Sequence, residues 1–243
     1  MLDRIKIVLV ETSHPGNIGS AARAMKTMGL TQLVLVSPLK FPHQQAIEMA
    51  SGAMDLLENA EIYPTLLDAV ADCELVIGSS ARTREIALPQ LEMRTFAPYI
   101  AQQASEARVA IVFGRERTGL TNEELSKCQF QVTVDTNPEY GSLNLAQAVQ
   151  LFCYELRAMA MSNQLHAKSE GSYNKMAQVK EIEGLYQHIE QTLHLTEFLD
   201  PEAPKKVMAK IKRLFSRTRL EAQEVNILRG ILSSVQYSIE NKK

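Results

Sequence analysis

The 243-residue chain has no tryptophan, only three cysteines, and little surplus of either charge. Each scarcity excludes something. Cys73, Cys128 and Cys153 are odd in number and widely spaced, with no Cys-x-x-Cys pair. They read as buried thiols of a reducing compartment, not as a disulfide or zinc framework. The five histidines, His14, His43, His166, His188 and His194, lack metal-ligand spacing, so no metal is expected. No apolar run reaches the roughly 20 residues that a membrane helix needs. The N-terminus runs straight into Ile5–Val10, too short and too charged at its start for a signal peptide, and a cytoplasmic protein is expected. A formal net charge of −2 gives the molecule as a whole no pull on a polyanion, so a nucleic-acid partner would need a local positive patch. Familiar nucleotide motifs are missing too. The GRERTGL stretch at 114–120 lacks the Lys-Ser/Thr ending of a Walker A loop, and NIGSAAR at 17–23 does not match the dinucleotide fingerprint. There is no nucleophile elbow and no Ser-His-Asp arrangement.

What is present is alternation. Short apolar, β-branched runs at 5–10, 33–36, 75–77, 109–113 and 132–134 are separated by helical patterns. Their near-continuous apolarity suits strands buried on both faces, as in a parallel sheet. In the first helical pattern Ile18, Ala21, Ala22 and Met25 form one stripe, with Gly29 placed as a C-terminal cap. Thr121 with Glu124 predicts a capping box. Leu145, Ala148, Val149, Phe152 and Leu156 recur at helical spacing after Asn144. The expectation is an α/β domain over 1–162 with a mostly parallel sheet. Residues 163–178 are polar and aperiodic and read as a linker. Beyond them strand signals vanish. Segments 179–199, 204–217 and 221–239 predict three helices, with Asp200-Pro201 breaking the first from the second, and so a small all-helical domain over 179–243.

Three strand-to-helix junctions place glycine beside polar or charged residues, where α/β sheets form their ligand crevices. They are NIGSAARAMKTMG (17–29), VFGRERTGLTNEEL (112–125) and NPEYGSLNLA (137–146). In the first, Arg23 lies roughly opposite the apolar stripe and one turn beyond Gly19, whose missing side chain leaves room for a ligand or a second chain. A solvated helix arginine is the simpler account, and Asn17 is explained as an N-cap. Glu116 can orient a cation such as Arg23, or pair on the surface with Arg115 or Arg117, which is the default. In the third junction Gly141, Ser142 and Asn144 either cap a helix, hold a ligand, or do both. A fourth strand end, LVIGSSA at 75–81, has small residues that admit a flat ligand or make a simple turn. In the C-terminal segment Lys206, Lys210, Arg213 and Arg217 share one helical face, while Val207, Ile211, Leu214 and Phe215 make the expected buried stripe. That basic face is either solvated or a polyanion site.

Taken in order, the three junctions resemble the three motifs of the SPOUT-class RNA methyltransferases: NIGSAAR, VFGRERTGL and NPEYGSLNLAQA. The wider stretch VETSHPGNIGSAARAMKTMGL and the tail with KIKRLF and NILRGIL are similar to the bacterial TrmJ-type family. The resemblance covers nearly the whole chain and is weakest in the linker. It implies a trefoil-knotted α/β fold, S-adenosylmethionine bound in the knot, and a homodimer with the active site near its interface. It further implies 2′-O-ribose methylation of cytidine or uridine at tRNA position 32, with no DNA and no membrane partner. Carried over by motif, cofactor contacts fall on Ser79, Ser80, Ala81, Gly114, Val134, Gly141, Ser142 and Leu143. The catalytic set is Arg23, Asn17, Glu116, Ser142 and Asn144, and RNA contacts are expected from Lys206, Lys210, Arg213 and Arg217. Arg23 is either a base or a cation on the neighbouring phosphate; free guanidinium groups stay protonated at physiological pH, so the first role demands a strongly perturbed site. The rivals are the same reaction at another tRNA or rRNA site, a knotted RNA-binding protein without catalysis, and a small-molecule α/β enzyme with an incidental basic tail.

Overall fold

The structure, a computed structural model, describes residues 1–80, 88–103, 107–162, 175–199 and 204–241. Ala81, most of the expected linker and the Asp200-Pro201 break lie outside the described residues. The chain divides into two compact units, Met1–Glu170 and Gly171–Lys243.

In the first unit, after a short 3-10 turn, the order is β1 (Ile5–Val10), α1 (Pro15–Met28), β2 (Gln32–Val36), α2 (Gln44–Ala50), α3 (Met54–Glu58), β3 (Glu61–Tyr63) and α4 (Leu66–Val70). There follow β4 (Leu75–Ser79), β5 (Gln90–Glu92), α5 (Met93–Gln103), β6 (Val109–Phe113), α6 (Asn122–Leu125), β7 (Phe130–Thr133) and α7 (Leu145–Met161). The strands form one sheet in the order β3-β2-β1-β6-β4-β7-β5, and every pairing is parallel. All of β1 and β6 is buried, as their nearly continuous apolar runs predict, and Lys6, the one charge in β1, pairs with Asp72 at 2.8 Å. The two strands that the sequence pattern missed, β3 and β5, are three residues each and close the two edges of the sheet.

α7 is pinned to the sheet by aromatic rings. Phe152 packs at 5.0 Å between centroids against Phe113, the last residue of β6, and at 5.1 Å against Phe96 of α5. Such edge and tilted contacts add to the area that the rings bury, and they fix the start of α7 relative to the loop that leaves β6. Gly19 has a different role from the one expected. A Cβ there would lie 2.0 Å from the Ala46 carbonyl oxygen and 2.9 Å from the Ala50 nitrogen, so the missing side chain admits the backbone of α2. No ligand space opens beside Gly19, because helix packing has filled it.

The second unit holds α8 (Val179–Leu195), α9 (Pro204–Ser216) and α10 (Ala222–Glu240) around Leu185, Tyr186, Ile189, Met208 and Val225. The N-cap backbone N–H groups of α8 and α10 donate to glutamates three residues on, Gln178 to Glu181 and Glu221 to Glu224, both at 2.8 Å. Val207, Ile211 and Phe215 pack against the core as expected, but Leu214 is 52% exposed and Met208 takes the buried position. With 3.6 residues per turn, 207, 208, 211 and 215 form the tighter stripe and 214 falls off its edge. Lys206, Lys210, Arg213 and Arg217 are all exposed, whereas Lys212 lies over the Tyr186 ring at 5.2 Å and pairs with Glu183 at 3.6 Å.

Candidate active site

Three loops leave the carboxyl ends of β4, β6 and β7 and enclose a cavity of about 430 Å³. Small-molecule pockets span roughly 300–1,000 Å³. Ser79, Ser80, Gly114, Val134, Gly141, Ser142 and Leu143 all line it, so every expected cofactor residue within the described chain faces one space. Phe113 gives it an apolar wall. Two glycines are steric requirements. A Cβ at Gly114 would sit 2.2 Å from the Gly119 carbonyl carbon and 2.3 Å from the Leu120 nitrogen, both backbone atoms that cannot swing aside. Gly119 adopts φ +68°, closing the turn in which its N–H donates to the Arg115 carbonyl at 2.9 Å. On the facing loop the Thr136 hydroxyl donates to the Gly141 carbonyl at 3.1 Å, folding 136–141 back on itself.

Beside the cavity a carboxylate organises two amides. Glu116 Oε2 accepts from the Ser13 N–H at 3.1 Å and the Ser13 hydroxyl at 2.9 Å. Its Oε1 accepts from the His14 N–H at 3.1 Å and from Asn17 Nδ2 at 2.9 Å. Asn17 Oδ1 in turn accepts from Asn144 Nδ2 at 2.9 Å, and Asn144 Oδ1 caps α7 by accepting from the Ala146 N–H at 2.9 Å. Partial burial opposes ionisation of Glu116. The Asn17 amide and the backbone N–H groups of Glu116, Ser13 and His14 outweigh it, holding the carboxyl down at about 2 from the ordinary 4.5.

Two expectations are corrected by this network. Glu116 pairs with neither Arg23 nor its neighbours: Arg115 is held by Glu11, at 2.6 Å, and by both oxygens of Glu124, at 3.0 Å each. Asn17 is not an N-cap, since α1 begins with His14 as cap and Pro15 at its first position, where a proline loses no hydrogen bond. That places Asn17 in the first turn, with its side chain free to reach across. Of the proposed catalytic set, Asn17, Glu116 and Asn144 are joined by hydrogen bonds and Ser142 lies in the cavity wall. Arg23 stands apart, exposed on α1, its guanidinium without a partner among the described residues. Ser13 and Arg115 went unassigned in the sequence. Glu116 and Glu11 lie about a hundred positions from Ser13 and Arg115, and no local spacing announces such pairs.

Two family models match the chain. Residues 4–154 match the SpoU rRNA Methylase family, and residues 180–243 match the C-terminal domain of the tRNA methyltransferase TrmJ. The chain belongs to the SpoU methylase family. It is 53% identical over 236 residues to the tRNA (cytidine/uridine-2'-O-)-methyltransferase TrmJ of Pectobacterium atrosepticum, covering 97% of this chain and 98% of that one. The crystal structure of TrmJ from Z. mobilis ZM4 superposes with a TM-score of 0.83 at 33% identity, covering 95% and 98% of the two chains. The SpoU methyltransferase AviRb from Streptomyces viridochromogenes, solved with the cofactor AdoMet, shares the fold at 18% identity, with a TM-score of 0.53 over 65% of this chain and 61% of its own. The resemblance to SPOUT-class and TrmJ-type enzymes is thereby borne out.

The cavity suits the cofactor that the SpoU family uses. Its walls offer backbone groups at strand ends and glycines, an apolar ring and small hydroxyls, as a nucleoside with a flexible tail requires. Among the described residues no group of three His, Cys, Asp or Glu side chains is placed to hold a metal ion. The depressed Glu116 makes a testable contribution to stability. A carboxyl whose folded pKa lies below its unfolded value stabilises the fold fully above about pH 4.5, and that share is lost as pH falls toward about 2. In urea denaturation, the stability gap between wild type and Glu116→Gln is expected to shrink steadily over that window. A gap constant with pH would show that the four donors do not favour the ionised form.

Proposed function

We propose that this protein transfers a methyl group from S-adenosylmethionine to the ribose 2′-hydroxyl of a cytidine or uridine in tRNA, at position 32 of the anticodon loop. The convergence of Gly114, Gly141, Ser142 and the Glu116–Asn17–Asn144 network on one cavity carries this reading. The full-length similarity to tRNA (cytidine/uridine-2'-O-)-methyltransferases supports it. The proposal places the trefoil knot and the chemistry in 1–162, and RNA binding in 179–243 after the linker 163–178. It places the working enzyme in the cytoplasm as a homodimer, with neither DNA nor membrane as partner. α7 supports the dimer, because Leu151, Tyr154 and Met161 are exposed along one of its faces.

S-adenosylmethionine supplies an activated methyl group on its sulfonium. The chain supplies position and charge. Loops 114–119 and 136–143 would hold the cofactor through Gly114, Gly141, Ser142 and Leu143, together with Ser79, Ser80 and Val134. Asn17 and Asn144, oriented by Glu116, present amide N–H groups next to the cavity, and such donors suit the oxygens of a ribose-phosphate backbone. Arg23 provides the cation that lowers the energy of a developing 2′-oxyanion, or, in its neutral form, accepts the proton of the 2′-hydroxyl.

The test is transfer of labelled methyl from S-adenosylmethionine to total tRNA in the presence of a chelator, followed by mapping of the modified nucleotide. Label on a 2′-O-methylated pyrimidine at position 32 is the expected result. Label elsewhere in tRNA or in rRNA would redirect the substrate assignment. Cofactor and RNA binding without transfer would leave a non-catalytic RNA-binding protein.

A further inference from the structure

We propose that Ser13 is a positioning residue for the methyl-transfer site, acting through Glu116 to fix the direction of both catalytic amides; this rests on the methyltransferase reading above. The geometry gives the reason. An ionised carboxylate only accepts hydrogen bonds, so the atom that Asn17 turns toward Glu116 must be its Nδ2, at 2.9 Å. Asn17 then has only Oδ1 to offer Asn144, and it accepts from Asn144 Nδ2 at 2.9 Å. Asn144 is left with its own Oδ1 for the Ala146 N–H. One carboxylate thus sets two amide flips in sequence, and each amide keeps a second N–H for whatever lies beside it. The outward character of the pair is donor, as ribose and phosphate oxygens require.

This orientation holds only while Glu116 keeps one rotamer. Ser13 is the residue that holds its far oxygen, with both the N–H at 3.1 Å and the hydroxyl at 2.9 Å on Oε2. The near oxygen, Oε1, is occupied by His14 and Asn17. Without the Ser13 hydroxyl, Oε2 keeps a single backbone donor and the carboxylate can rotate, releasing Asn17 to sample both flips. Hydrogen bonds to a charged acceptor are the stronger class, so the loss is felt along the whole relay. Ser13 does not line the cavity, so its effect is indirect.

The experiment compares wild type, Ser13→Ala and Ser13→Thr in steady-state methylation of tRNA and in side-chain amide NMR of the full-length protein. Ser13→Ala is expected to lower kcat about tenfold, with KM for S-adenosylmethionine and tRNA within about twofold of wild type. Ser13→Thr, which restores a hydroxyl, is expected to recover most of that loss. In the spectra, the Asn17 and Asn144 amide protons should exchange faster in Ser13→Ala while those of Asn137 stay unchanged, which also shows that the variant is folded. Normal kcat in Ser13→Ala, unchanged Asn17 and Asn144 signals, or no rescue by threonine would each overturn the assignment. If the wild-type protein methylates no RNA, the functional reading fails by itself, and the amide signals still decide whether Ser13 directs the relay.

Discussion

Substituting Arg23 by alanine is expected to lower kcat for tRNA methylation about 100-fold or more, the scale seen when a single group stabilising developing charge is removed. The dissociation constant for S-adenosylmethionine should stay within error, because Arg23 is not among the residues that line the cavity. Stability should also hold. The Arg23 side chain is exposed and has no hydrogen-bond or ion-pair partner among the described residues, and surface changes away from special features usually cost under about 0.5 kcal/mol. This combination separates a working group from a structural one: a side chain the fold does not need, lost at large functional cost. Arg115 behaves oppositely. Bound by Glu11 and Glu124, it belongs to the scaffold, and its removal should damage the loop before it damages chemistry. Arg23→Lys adds a second reading. Lysine keeps the charge but not the planar fork, so weak rescue indicates bidentate geometry and strong rescue indicates charge alone. Calorimetry for the cofactor, a thermal melt and single-turnover transfer are sufficient. Near-normal turnover in Arg23→Ala would return the residue to an ordinary solvated arginine.

The sequence carried the middle of the sheet well and its edges poorly, for a physical reason. Central strands are buried on both faces, so 5–10 and 109–113 are written as nearly continuous apolar runs, interrupted only by Lys6, that match β1 and β6 end to end. The edge strands Glu61–Tyr63 and Gln90–Glu92 are three residues long and mostly exposed, and neither length nor periodicity lifts them above loop. Local caps were legible for the same kind of reason. Thr121 and Glu124 satisfy each other within one turn, and Gly29 takes φ +79° directly after α1. Relations between distant segments were not. That Gly19 serves α2, or that Glu116 belongs to Ser13, His14 and Asn17, depends on how the loops meet, and each residue alone favours a blander partner nearby. The family motifs bridged that gap by naming Asn17, Glu116, Ser142 and Asn144 together. They proposed a membership for the site without its wiring.

Reversing two charges on α9, Lys210→Glu with Arg213→Glu, is expected to weaken tRNA binding about tenfold or more and to flatten its salt dependence. A chain of net charge −2 must hold a polyanion, so the attraction has to be local. Lys206, Lys210, Arg213 and Arg217 provide it: all four are exposed, while Val207, Met208, Ile211 and Phe215 turn the other side of the helix into the core of the second unit. Lys212 does not join them, because Glu183 and the Tyr186 ring already engage it. Each phosphate neutralised releases roughly 0.7–0.9 counterions, so losing two contacts should reduce the slope of log K against log salt by about 1.5. The second unit should stay folded, since neither side chain contributes to its core. Cofactor binding should be unaffected, since the cavity is built wholly from first-unit loops. Filter binding across a salt series, with calorimetry for S-adenosylmethionine, measures both halves. Should the double variant methylate tRNA normally at physiological salt with an unchanged slope, the basic face is only solvated, and the polyanion must be held by the first unit alone.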